Sequence, residues 1–260
     1  MALVIRIPLV VQGANLLAGY ATHGPTMTAL YGLTARLEDS AGFTAQRFGL
    51  VLTEYSPRLG EQLTTSLDVI LKAKQGLARS ATPARIGDLA LSLYLEVDED
   101  TVDDCDWLME RIALALNNSR FQGGRLAGVV GTQPSDDMQV TYHLDEPQQA
   151  LMELLRKEAP LAKVYSSCHL PQALKGDDLI EAFAQGIASG AHLVCNGFRV
   201  AGEVSCIQGQ QRKVGEPLFT LATTQPVYDL RRMGPNEQES ALKNFWWQFK
   251  AETTNHLTIV

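Results

Sequence analysis

The chain has 260 residues, of which 45% are hydrophobic and 20% charged. That is enough apolar material for one large core or two modest ones, and it excludes intrinsic disorder. No stretch reaches the roughly 18 to 20 consecutive apolar residues of a membrane span, and no cationic segment precedes the apolar opening run, so a cytoplasmic protein with no membrane partner is expected. Twenty-nine acids against 22 bases leave a formal charge of −7, which argues against a free-standing nucleic-acid binder.

The acids are concentrated. Residues 96–106 (EVDEDTVDDCD) hold Glu96, Asp98, Glu99, Asp100, Asp103, Asp104 and Asp106 with no base, and the remainder of the chain is neutral. Residues 58–85 carry Arg58, Lys72, Lys74, Arg79 and Arg85 against Glu61 and Asp68, so a locally basic surface on a neutral body is possible. Cys105, Cys168, Cys195 and Cys206 show neither C-x-x-C nor zinc-ligand spacing, and reduced thiols with no metal and no cofactor are expected.

In chain order, the β-branched run 3–11 predicts a first strand, ended at Gly13. Residues 25–39 have helical spacing, with Pro25 suited to the first turn. FGLVLTEYS predicts a second strand. In RIGDLALSLYLEV, Leu89, Leu91, Leu93 and Leu95 alternate with Ala90, Ser92, Tyr94 and Glu96, predicting a third strand with one face buried. The acidic block opens a helix through Trp107, Leu108, Ile112 and Leu116, since carboxylates suit the positive end of a helix. FQGGRLAGVVG supplies a fourth strand. The order β-α-β-β-α-β predicts an α+β fold, a ferredoxin-like (RRM-like) unit with two helices on one face of a four-stranded antiparallel sheet.

Beyond it, 147–159 and 177–189 have helical spacing, 191–207 reads as a hairpin or two strands, and 237–253 as an amphipathic helix. The boundary is placed at 134: a ferredoxin-like RNA-binding domain over 1–133, with an insertion at 58–84, and a C-terminal α/β portion over 134–260 packed on it.

Phosphate-loop, dinucleotide, H-E-x-x-H and G-x-S-x-G motifs are all absent, which removes the most strongly signalled enzymes. His23, in a glycine-flanked loop, is the one candidate proton carrier, as a metal-independent ribonuclease would need. Gln122, Gly123, Gly124 and Arg125 form a glycine-rich segment able to bring backbone N–H groups and one charge to a phosphate; a plain turn explains the same glycines. The basic insertion is long for a hairpin loop and would suit a phosphate backbone. Trp246 and Trp247 are read as packing residues.

The run VVQGANLLAGYATHGPTMTALYGL, with Gln12, Ala14, Asn15, Gly24, Pro25 and Ala29 leading into the first helix, resembles the Cas-five (Csy-two) subunit of type I-F CRISPR surveillance complexes, of the RAMP superfamily. GEPLFTLATTQPVYDLRRM and FWWQFKAE resemble that family's ending, while 134–200 matches only in helical character. The resemblance implies a non-catalytic subunit that holds the 5′ handle of the crRNA and joins the large subunit to the first backbone subunit. Target DNA is then met only through the complex, where guide pairing reads the sequence. It makes 58–84 a thumb, placing Arg58, Lys72, Lys74 and Arg79 near RNA or a neighbouring subunit, and puts Gln12 and Asn15 in the handle-binding loop. His23, Arg85, Gln122 and Arg125 complete the expected RNA-binding set. The alternatives are a metal-independent crRNA-processing endoribonuclease using His23, a repeating backbone subunit of a variant complex, and an unrelated interaction module.

Overall fold

A computed structural model describes residues 1–18, 22–23, 25–62, 85–117, 119–127, 139–168, 177–205, 211–253 and 256–259. Lys72, Lys74 and Arg79 lie outside the described residues.

The first strand, β1 (Ala2–Asn15), is longer than predicted and is buried on both faces over most of its length. Thr26 caps the following helix α1 (Met27–Ala41), its Oγ1 accepting from the Ala29 N–H at 3.1 Å, so Pro25 precedes the helix instead of lying in its first turn. Gly42 ends that helix at φ +77°, in the left-handed region. Strands β4 (Ala45–Gln62) and β5 (Arg85–Val97) follow, after the two-residue pair β2 (Leu17–Ala18) and β3 (Thr22–His23). In the acidic block, Asp104 Oδ1 accepts from the Asp106 and Trp107 N–H groups at 2.9 and 3.1 Å and starts helix α2 (Cys105–Asn117). These carboxylates serve the helix start.

The ferredoxin-like expectation is overturned. The described residues form an eleven-stranded sheet, antiparallel at each of their pairings, that curls as a half-barrel. Strands β6 (Arg120–Phe121) and β7 (Gly124–Ala127) replace the predicted fourth strand; β7 pairs with the Val10–Gln12 end of β1, and β8 (Thr141–Asp145) pairs with its Ala2–Arg6 end. On the opposite side β9 (Lys163–Cys168) pairs with β4, extending the sheet through β11 (Gln211–Pro226), β10 (His192–Ser205), β13 (His256–Ile259) and β12 (Phe249–Thr253). The long central strands expose N–H and C=O groups along β4, and the second half satisfies them by pairing. Residues 192–205 are thus one continuous strand.

Two apolar layers sandwich the central strands. On one face Leu3, Ile5, Ile7, Leu9 and Val11 pack with Leu89, Leu91, Leu93 and Leu95 against α1 and α2. On the other, Val4, Val51 and Tyr94 pack beneath α3 (Pro147–Leu155), α5 (Val227–Arg232) and α6 (Pro235–Leu242); α4 (Asp177–Ala188) lies outside this layer. The expectation that β5 buries one face therefore fails: Ser92, Tyr94 and Glu96 are buried as well. The predicted helix over 237–253 stops at Leu242. Beyond it the chain turns at 243–244 and then meets β4, Phe48 and Trp247 exchanging backbone hydrogen bonds of 2.9 and 2.7 Å.

Candidate nucleic-acid interface

Among the described residues the second face of the sheet is covered at only one end. Along β1 the even-numbered residues Arg6, Pro8, Val10 and Gln12 point to it, opposite the leucine-rich face, and exposure rises from buried Pro8 to exposed Gln12. Gln12 stands opposite Arg125 on β7, and Arg125 opposite Arg120 on β6. Directly opposed residues of an antiparallel pair project to the same side. Val11, Phe121 and Leu126 point into the core, so Arg120, Arg125 and Gln12 form an exposed row across three adjoining strands at the uncovered end.

The Gln122-Gly123 turn builds this row. Gln122 at φ +47° and Gly123 at φ +79° join β6 to β7 in a tight hairpin. The Gln122 side chain is used structurally: its Oε1 accepts from Thr26 N–H at 3.1 Å and its Nε2 donates to the Asn15 carbonyl at 2.8 Å. The Asn15 N–H donates in turn to the Gln122 carbonyl at 2.8 Å. The glycine-rich segment, read as a possible phosphate cradle, is thus a turn clamped to the end of β1 and the start of α1. Gly124 is seated against that strand, where a Cβ would lie 2.8 Å from Ala14 N and 2.7 Å from Val11 Cγ1. Gly124→Ala is therefore expected to lower stability by about 1–3 kcal/mol, read from urea unfolding at unchanged m.

Arg58 lies on β4 at the same end. Its guanidinium meets the Asp88 carboxylate at 3.0 Å, and the other duty of Asp88 is to accept the Gly13 N–H at 2.9 Å. The Gly13 hydrogen bond and the Arg58 guanidinium hold the Asp88 carboxyl below its usual range. The Arg58 charge is therefore largely balanced by Asp88. Arg85 pairs with Gln62 in the sheet, and His23 with Leu17; their side chains lie outside the described residues.

The structure thus brings Gln12 and Arg125 together and adds Arg120, which the sequence reading missed. It assigns Gln122 and the Asn15 backbone to the framework. The missed signal was the hairpin: a two-residue turn at Gln122-Gly123 places Arg120 opposite Arg125. Among the described residues no cluster of His, Cys, Asp and Glu is arranged to hold a metal ion, and no helix is long and apolar enough to cross a membrane. No protein-family model and no curated protein matches this chain.

Proposed function

We propose that the protein is a non-catalytic RNA-binding subunit, and that the row Arg120–Arg125–Gln12 is its contact with the RNA backbone. The observation that carries this reading is the placement of two exposed guanidinium groups and an amide side by side on the uncovered end of a sheet face. Arginine supplies several donors in a fixed fork for phosphate oxygens, and glutamine adds hydrogen bonds to a 2′-hydroxyl or base edge. A row of two cations binds weakly alone, which suits a subunit embedded in a larger particle. The residue runs at the two ends of the chain support the finer reading: a cytoplasmic crRNA-binding subunit of a type I-F CRISPR complex, holding the 5′ handle and joining the large subunit to the backbone subunits.

The test is a pull-down of the tagged chain co-expressed with a guide array, a processing nuclease and the partner subunits. Mature guide RNA is expected with the wild type, and much less with Arg120→Ala combined with Arg125→Ala. For the RNA-bound particle, losing two single-strand phosphate contacts is expected to reduce the slope of log Kobs against log[salt] by about 1.4. An unchanged slope removes the row from the interface. Cleavage of repeat RNA by the chain alone in EDTA, abolished in His23→Ala, would replace this reading with the endoribonuclease.

A further inference from the structure

Between the covered and uncovered ends of the second face lies a cavity of about 350 Å³, lined by Pro8, Val10, Thr53, Ala90, Ser92 and Lys157 over the Arg6–Glu158 pair. Its size falls at the lower end of the roughly 300–1,000 Å³ typical of small-ligand sites. The floor is the paired surface of β1 and β5, with Val10 opposite Ala90 and Pro8 opposite Ser92. The Ser92 hydroxyl is on a residue only 2% exposed, whereas Thr53 and Lys157 are exposed at the rim. The Arg6 guanidinium is held by Glu158 at 2.6 Å, so the deep wall is a balanced ion pair and the rim carries the Lys157 cation.

We infer that this cavity is a binding site for a single nucleobase with its attached phosphate. A planar base has two apolar faces and a polar edge, matching a floor of Pro8, Val10 and Ala90 beside the hydroxyls of Ser92 and Thr53. The Lys157 ammonium takes the phosphate as a mobile point charge. The position favours a nucleotide over other flat ligands: Val10 in the floor and Gln12 in the cationic row are successive residues on one face of β1. A strand whose phosphates follow Arg120 and Arg125 passes to the cavity mouth. In that respect the inference rests on the RNA-binding reading, but the cavity itself also fits a free nucleotide.

The probes are the four ribonucleoside 5′-monophosphates, titrated into the whole protein, and a 4-thiouridine-substituted guide RNA crosslinked in the co-expressed particle. Saturable amide shifts at Val10, Ala90, Ser92 and Lys157 are expected with at least one monophosphate. Lys157→Glu should weaken that binding at least tenfold, and Ala90→Leu, which fills the floor, should abolish it. Lys157 is exposed, so its variant tests the site with the core intact. Crosslinks at 8–10 or 157 support the inference with RNA as the source of the base. Shifts without such crosslinks support it with a free nucleotide as the source. Absence of both overturns it, whatever the Arg120/Arg125 variant does to RNA recovery; that variant alone decides the RNA-binding reading.

Discussion

Glu158→Ala is expected to destabilise the protein by about 3–5 kcal/mol, because it breaks a buried ion pair and leaves a guanidinium in the interior without its carboxylate. The Glu158 and Arg6 side chains are 2% and 5% exposed and meet at 2.6 Å. The same carboxylate oxygen accepts from the Tyr94 hydroxyl at 2.7 Å. Burial, and then the adjacent Glu158 charge, pushes the Tyr94 phenol well above its ordinary value, so Tyr94 stays neutral and acts as a donor. Arg231 completes the arrangement from α5, its guanidinium donating to the carbonyls of Leu155, Arg156 and Glu158 at 2.8, 2.9 and 2.7 Å, which fixes the backbone that presents Glu158. The measurement is urea unfolding, with a fall in midpoint at constant m. Arg6→Met combined with Glu158→Met is expected to be far milder than Glu158→Ala, since removing both charges leaves neither stranded. A loss below 1 kcal/mol in Glu158→Ala would mean that water reaches the pair and that the second layer does not close over β1.

Trp247→Ala is expected to lower stability by a similar amount, about 3–5 kcal/mol, through the cavity left by the largest fully buried side chain. Trp247 lies with Phe48 in the layer packed against α1 and α2, while Phe245, two residues earlier, lies in the opposite layer against Tyr94 at a ring separation of 5.6 Å. The segment crosses the edge of β4 and plugs both layers. Gly49 makes room for it, since a Cβ there would sit 2.3 Å from the Phe245 ring. The indole Nε1 of Trp247 is buried without a hydrogen-bond partner. Trp247→Phe should therefore cost much less than Trp247→Ala, because it keeps most of the volume and removes an unsatisfied N–H. Half-buried Trp246, edge-on to Phe245 and under the Arg47 guanidinium, should give a smaller loss as alanine. Equal losses at 246 and 247 would contradict the division between the layers.

The same segment shows why sequence periodicity misled. Residues 237–253 have enough helical spacing to predict one helix, but a bridge to β4 at Trp247 and the pairing of Phe249–Thr253 with β13 draw the chain out of helical conformation. A peptide group that satisfies a strand edge outweighs a weak helical preference. The adjacent tryptophans were correctly read as packing residues, yet their separation into different environments depends on that pairing.

The candidate site was legible in part for a related reason. Gln12 was named through the family resemblance alone and Arg125 from the glycine signal, and both are exposed in one row. Gln122 was named on the same glycine signal, but its side chain ties Thr26 to Asn15, 96 and 107 residues away in sequence. The cavity over Pro8 and Val10 had no sequence signal, because Lys157 and Glu158 reach it from the segment after α3.

By itself the sequence determined the local elements: the capped helix after the first strand, the strand over 85–97, the helix opened by the acidic block, and the absence of the strongest catalytic motifs. Hydrophobic period, caps and turn residues act over a few positions, and those signals were present. Tertiary structure alone decided that β9 continues the sheet from β4, that Tyr94 is covered, and that Gln12 stands opposite Arg125. Register and layer order are set by which distant strand satisfies an exposed edge and which helix covers an apolar face, and no local pattern carries that information.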